Sequence, residues 1–179
     1  ALKPDVTLSI VKNGKISNAS FTKVFYDENV FRVSKATDTF KEIKQTGLEC
    51  FGPIDDYQLL EVLSLAVESL LTISDKCVLS ISQTDIVKKV IDYAGLSSQG
   101  KQRALLLLGA KNAHGLKALC ETEGIADDKK EKLVLLANSY GSLDKTANAL
   151  NSMLDIDGVK KDVLSLTKIV KILADKYGN

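Results

Sequence analysis

The rhythm of apolar and polar positions changes after residue 52 and divides the chain into unlike parts. The segment KVFYDENVFRV, residues 23 to 33, is rich in aromatic and β-branched residues and predicts a strand. Its polar patch, Asp27–Glu28–Asn29, suggests a bulge or a break. SKATDT follows as a polar loop, and FKEIKQTGLECFG, residues 40 to 52, alternates back as a second strand, so the two make a long antiparallel hairpin. Upstream, LKPDVTLSIVKN reads as a strand end at Leu2–Lys3, a turn at Pro4–Asp5 and a short helix from about Thr7, with Asp5 or Thr7 as its cap.

Beyond Gly52–Pro53 the period becomes helical. Asp55 and Asp56 suit a helix N-terminus, and Leu59, Leu60, Leu63, Val67 and Leu70 lie on a strongly apolar helix. KCVLSIS, residues 76 to 82, alternates and predicts one more strand. From about Gln83 to Asp155 the chain is helical, broken at GLSSQG, around His114–Gly115, at EGIADD and at SYGS, which predicts short helices packed as a small bundle. A last helix from about Val159 to Tyr177 carries Val163, Leu166, Ile169, Val170 and Leu173 on one face. The fold class is α+β, in three segments: a sheet-bearing part over 1–82, a helical module over 83–155, and a final helical segment over 156–179 that returns to the first part.

Composition sharpens this division. All five Phe lie at or before residue 51 and both prolines at or before residue 53. A length of 179 residues suits one domain or two small ones. The small sheet has open edges and the chain has no initiating Met, so a piece of a larger protein is expected. A net charge of +1, from 24 basic and 23 acidic residues, suggests no whole-surface affinity for nucleic acid or anionic membrane. No apolar run reaches the length of a membrane span, and a soluble, cytoplasmic protein is expected.

Few residues can carry metal or cofactor chemistry. Cys50, Cys77 and Cys120 are widely spaced and read as reduced, packed cysteines. His114 is the only histidine and reads as a helix-start or surface residue, which excludes any site needing two imidazoles. GLSSQGKQ, residues 95 to 102, is one residue short of a phosphate loop, has Gln102 where a metal-binding hydroxyl belongs, and follows a helix where a strand is required. DDKKEK, residues 127 to 132, reads as a solvated helix start, and Asp155–Gly158 as a cap and turn. No cofactor and no metal is expected.

One row of residues does call for an explanation. Strand alternation places Gln45, Gly47 and Glu49 on one face, about 7 Å apart, where a core strand would carry Val or Ile. The bland reading is a solvated sheet face. Arg32 ends the partner strand, and only it and Arg103 among the basic residues are Arg, in a chain that otherwise uses Lys. Planar bidentate contact with phosphate or carboxylate is one reason to keep an Arg.

LKPDVT, then VFR, a loop, and FKEIKQTGLECFG together resemble the core of the class II histidyl-tRNA synthetase family, with VFR through ECFG similar to its motif 2 hairpin. The resemblance covers residues 1 to about 75. It implies part of a class II synthetase-like antiparallel sheet with a helical insertion, and a histidine ligand held by Asp5, Thr7, Gln45 and Glu49. It also implies that Arg32 meets the ATP α-phosphate or keeps that place as a vestige, and that Gly47 leaves room for the ligand. Against the synthetase pattern, Ser34 stands where an acidic residue contacts adenine, and Asp38–Thr39 replaces a Gly-Arg in the loop. Asp5, where synthetases favour Glu, points to the branch that regulates ATP phosphoribosyltransferase. That branch senses histidine, has no catalysis of its own, partners a separate catalytic subunit, and is expected to be a homo-oligomer when intact. The alternative is a fragment of a true histidine-tRNA ligase whose helical module touches tRNA. Residues 83 to 155 hold nine Lys, one Arg and nine acidic residues with signs interspersed, which disfavours an RNA-binding face.

Overall fold

The computed structural model describes residues 3, 5–14, 21–34 and 37–178. It divides into two compact units, Ala1–Leu79 and Ser80–Asn179.

The first unit is built on the hairpin. Strands β1 (Thr22–Ser34) and β2 (Thr39–Phe51) pair antiparallel from Thr22↔Phe51 to Ser34↔Thr39 without interruption. The bulge expected at Asp27–Glu28–Asn29 does not form, because each residue finds a polar partner that keeps the ladder straight. Thr46 and Lys44 both reach Asp27 at 2.9 Å, Asn29 donates to Glu42 at 2.8 Å, and Lys3 meets Glu28 at 3.1 Å. The hydrogen bonds from Lys44 and Thr46 hold the Asp27 carboxyl below its usual range. Asp38 turns the loop at φ 50°, a left-handed conformation that Asp tolerates better than most residues. Of the loop, Lys35 and Ala36 lie outside the described residues, as do Leu2 and Pro4 of the expected strand end and turn. Lys3 does lie along β1, its carbonyl accepting from Phe31 N at 2.9 Å.

Helix α1 (Val6–Asn13) starts from Asp5, whose side chain accepts from Leu8 N at 2.9 Å. Between the two candidate caps the structure selects Asp5 and leaves Thr7 free to face the sheet. Helix α2 (Asp56–Leu71) follows the hairpin and lies against β2. It opens on a capping box, in which Asp55 takes Tyr57 N at 2.8 Å and Gln58 N at 3.2 Å while Gln58 takes Asp55 N at 3.1 Å. Asp55→Ala is expected to destabilise this unit by about 0.5–2 kcal/mol in denaturant melts. An unchanged midpoint would show that packing alone fixes the start of α2.

The strand expected over 76–82 is absent: residues 77–83 have no ladder partner, and the only sheet among the described residues is β1–β2. Alternation specifies two faces, but a strand exists only where another edge accepts its hydrogen bonds.

The second unit holds α3 (Thr84–Ala94), α4 (Ser98–Gly109), α5 (Ala113–Thr122), α6 (Asp127–Asn138), α7 (Leu143–Asn151) and α8 (Val159–Tyr177). The breaks at GLSSQG, EGIADD and SYGS fall where the sequence puts them, whereas the one expected around His114–Gly115 lies earlier, at Ala110–Asn112, with both residues inside α5. Gly95 ends α3 at φ 79°, Ser97 caps α4 onto Gly100 N at 3.0 Å, Asn112 caps α5, and Gly158 turns into α8 at φ 72°. One buried cluster joins Val90, Ala104, Leu116, Leu133, Met153 and Val159. Within this unit α8 packs on α3 and α7, and its Val159 and Val163 join the buried cluster. Cys120 is fully buried in the cluster, and burial pushes its thiol above the usual range. No helix among the described residues is long and apolar enough to cross a membrane.

Candidate functional site

The hairpin register decides which side chains share a face. Val24 opposes Glu49, Tyr26 opposes Gly47, Glu28 opposes Gln45, Val30 opposes Ile43 and Arg32 opposes Lys41. Directly opposed residues point to the same side, so Gln45, Gly47, Glu49 and Arg32 all lie on one face, with Tyr26 among them. Gln45 and Glu49 are half-buried and Arg32 is exposed.

Two groups form on this face. In the first, the Thr7 hydroxyl, carried by the opening turn of α1, donates to Glu49 Oε1. Helix α1 thereby meets the C-terminal part of β2. In the second, Gln45 Nε2 donates to the Tyr26 hydroxyl at 3.0 Å, and Arg32 Nη2 approaches Gln45 Oε1 at 3.5 Å, a long contact. Asp5 is joined to the first group through the chain alone: one of its oxygens caps α1 two residues before Thr7. Thus Thr7 touches Glu49 and Arg32 touches Gln45, while Asp5 touches none of the other candidates.

Gly47 corrects one expectation. The space above it is not open for a ligand. A Cβ built there would come 2.5 Å from the Tyr26 hydroxyl oxygen and 2.6 Å from the ring carbon bearing it. A side chain at position 47 would have to displace the Tyr26 ring, which crosses the strand where that side chain would stand. Tyr26 is the residue that reading the sequence missed. The available signal was an aromatic residue on one strand set against a glycine on the other, and it becomes legible only with the register in hand.

Glu49 supplies a carboxylate with one oxygen outside the Thr7 bond, Gln45 an amide and Arg32 a cationic fork. Among the described residues no cluster of His, Cys, Asp and Glu is arranged to hold a metal ion.

Known proteins resemble this chain over nearly its whole length. An ATP phosphoribosyltransferase regulatory subunit from Acetivibrio thermocellus is 26% identical over 182 residues, covering 99% of this chain and 43% of the relative. The chain therefore spans less than half the length of that curated relative. A Bacillus halodurans structure described as an ATP phosphoribosyltransferase regulatory subunit/histidyl-tRNA synthetase superposes with a TM-score of 0.71 at 20% identity, over 98% of this chain and 46% of that one. An ATP phosphoribosyl transferase (HisG:HisZ) complex from Thermotoga maritima gives 0.62 at 19% identity, over 99% and 61%. The hairpin and helices thus have the fold of class II synthetase-like structures. The histidyl-tRNA synthetase family model matches residues 1–178, and the chain belongs to that family.

Proposed function

We propose that this chain is part of a histidine-sensing regulatory subunit of ATP phosphoribosyltransferase, without catalysis of its own. Free histidine would bind over the Gln45–Glu49 face and change the activity of a separate catalytic subunit. The observation that carries the reading is the one hairpin face on which Thr7–Glu49 and Arg32–Gln45 stand together. Glu49 and Gln45 would accept from the ammonium and an imidazole N–H, with the second Asp5 oxygen as a further acceptor. Arg32 keeps the place of the phosphate-binding arginine.

Ser34 favours the regulator over a ligase. It ends β1 two residues after Arg32, opposite Thr39, and offers a hydroxyl where adenine recognition in the synthetase pattern uses a carboxylate. The helical unit also suits a role without tRNA, because Lys89, Lys101, Lys130 and Lys132 are each held by a carboxylate of the same unit. Those pairs reduce the positive charge free to displace counterions from a phosphate backbone. The relatives named as regulatory subunits and the structure of a two-component complex support a catalytic-subunit partner, and a cytoplasmic homo-oligomer fits this role.

The test is histidine-dependent pyrophosphate exchange by the intact protein. No exchange above background is expected, while L-histidine binding is retained. Robust exchange would make the protein a ligase and transfer Arg32 from vestige to ATP contact.

A further inference from the structure

We infer that Tyr26 is a positioning residue of the amino-acid site, acting through Gln45 by anchoring its side-chain amide in place beside the ligand. The inference rests on the reading of this face as a histidine site. A glutamine amide has a carbonyl end that only accepts and an NH2 end that only donates, and the two are interchanged by a half-turn of the side chain. A guanidinium has only donors, so the Gln45 oxygen belongs on the Arg32 side, where the 3.5 Å contact places it. The NH2 end then needs an acceptor on the opposite side. The Tyr26 hydroxyl supplies it at 3.0 Å, from a ring held across Gly47 by the cross-strand pairing.

Neither contact alone makes a strong clamp, since Arg32 is exposed and its contact is long. Tyr26 is half-buried and shares the strand ladder with Gly47, which makes its hydroxyl the better fixed of the two partners. With the amide held this way, Gln45 Oε1 keeps lone-pair capacity for a cationic or N–H-bearing ligand group. Without the hydroxyl the amide loses its better fixed partner and keeps only the long contact to Arg32, so Gln45 Oε1 is no longer held toward the ligand. Gly47 has the complementary role of making space for the ring that carries the hydroxyl.

The experiment is a double-mutant cycle on the intact protein, read by calorimetric titration with L-histidine. Tyr26→Phe keeps the ring over Gly47 and removes only the hydroxyl. It is expected to weaken binding about two- to tenfold, the range for losing one neutral hydrogen bond. In a Gln45→Ala background the same change should cost less than about twofold, because a residue acting through Gln45 has nothing left to position. Gly47→Ala, which drives the ring from its place, should reproduce the loss from the other strand. Unchanged affinity in Tyr26→Phe, or a loss that adds fully to that of Gln45→Ala, overturns the inference while the histidine site stands. Failure of the wild-type protein to bind L-histidine overturns the site itself, and the role of Tyr26 with it.

Discussion

Glu49→Gln is expected to weaken L-histidine binding by the intact protein about ten- to a hundredfold while leaving its denaturant midpoint close to that of the wild type. The two effects separate because the substitution preserves shape and one acceptor. The Thr7 hydroxyl donates to Glu49 Oε1 in the structure, and a glutamine carbonyl accepts the same bond, so α1 stays docked on β2. What disappears is the charge facing the ligand. A hydrogen bond involving a charged group is worth about 1.5–3 kcal/mol net, which converts to the stated range of affinity. Calorimetry and melts on both proteins separate binding from folding. Equal affinity would mean that the Gln45–Gly47–Glu49 row is a solvated sheet face and that the amino-acid site is elsewhere.

Leu116→Ala is expected to destabilise the helical unit by about 2–5 kcal/mol, the largest stability effect anticipated for a single change. Leu116 is fully buried in α5, within the cluster shared with α3, α4, α6 and α8. Truncation leaves a cavity whose walls are fixed by several helices, so the lost transfer energy is compounded by lost packing. Leu106 on α4 provides the control: it has the same side chain but is 75% exposed, and its replacement by Ala should shift stability by less than about 0.5 kcal/mol. Thermal and chemical melts monitored by circular dichroism distinguish the pair. Similar shifts for both would show that the α4 surface is covered in solution.

The two arginines show how far a compositional signal reaches. Among many lysines, both were singled out by retention alone. Arg32 lies on the face with Gln45, whereas Arg103 is exposed on α4 with no ion-pair partner among the described residues. Residue choice identified candidates, but only the neighbours separate one from the other. Asp5 and Thr7 make the same point at shorter range. Either could cap α1 from sequence, and the position of β2 assigned Thr7 to Glu49 and left the cap to Asp5.

What the sequence determined by itself is everything that depends on local period and on the chemistry of element ends. Alternation put Gln45, Gly47 and Glu49 on one face, and end chemistry located the start of α2 at Asp55, the break after Gly95 and the start of α8 at Gly158. Tertiary structure alone decided what depends on partners distant in the chain. It kept the ladder unbroken at Asp27–Asn29 by supplying polar groups from β2 and Lys3, left 76–82 without a ladder partner, and laid Tyr26 over Gly47. The physical reason is that a side chain's face follows from its own backbone, while its neighbour follows from register. In a hairpin a shift of one residue changes every cross-strand pair.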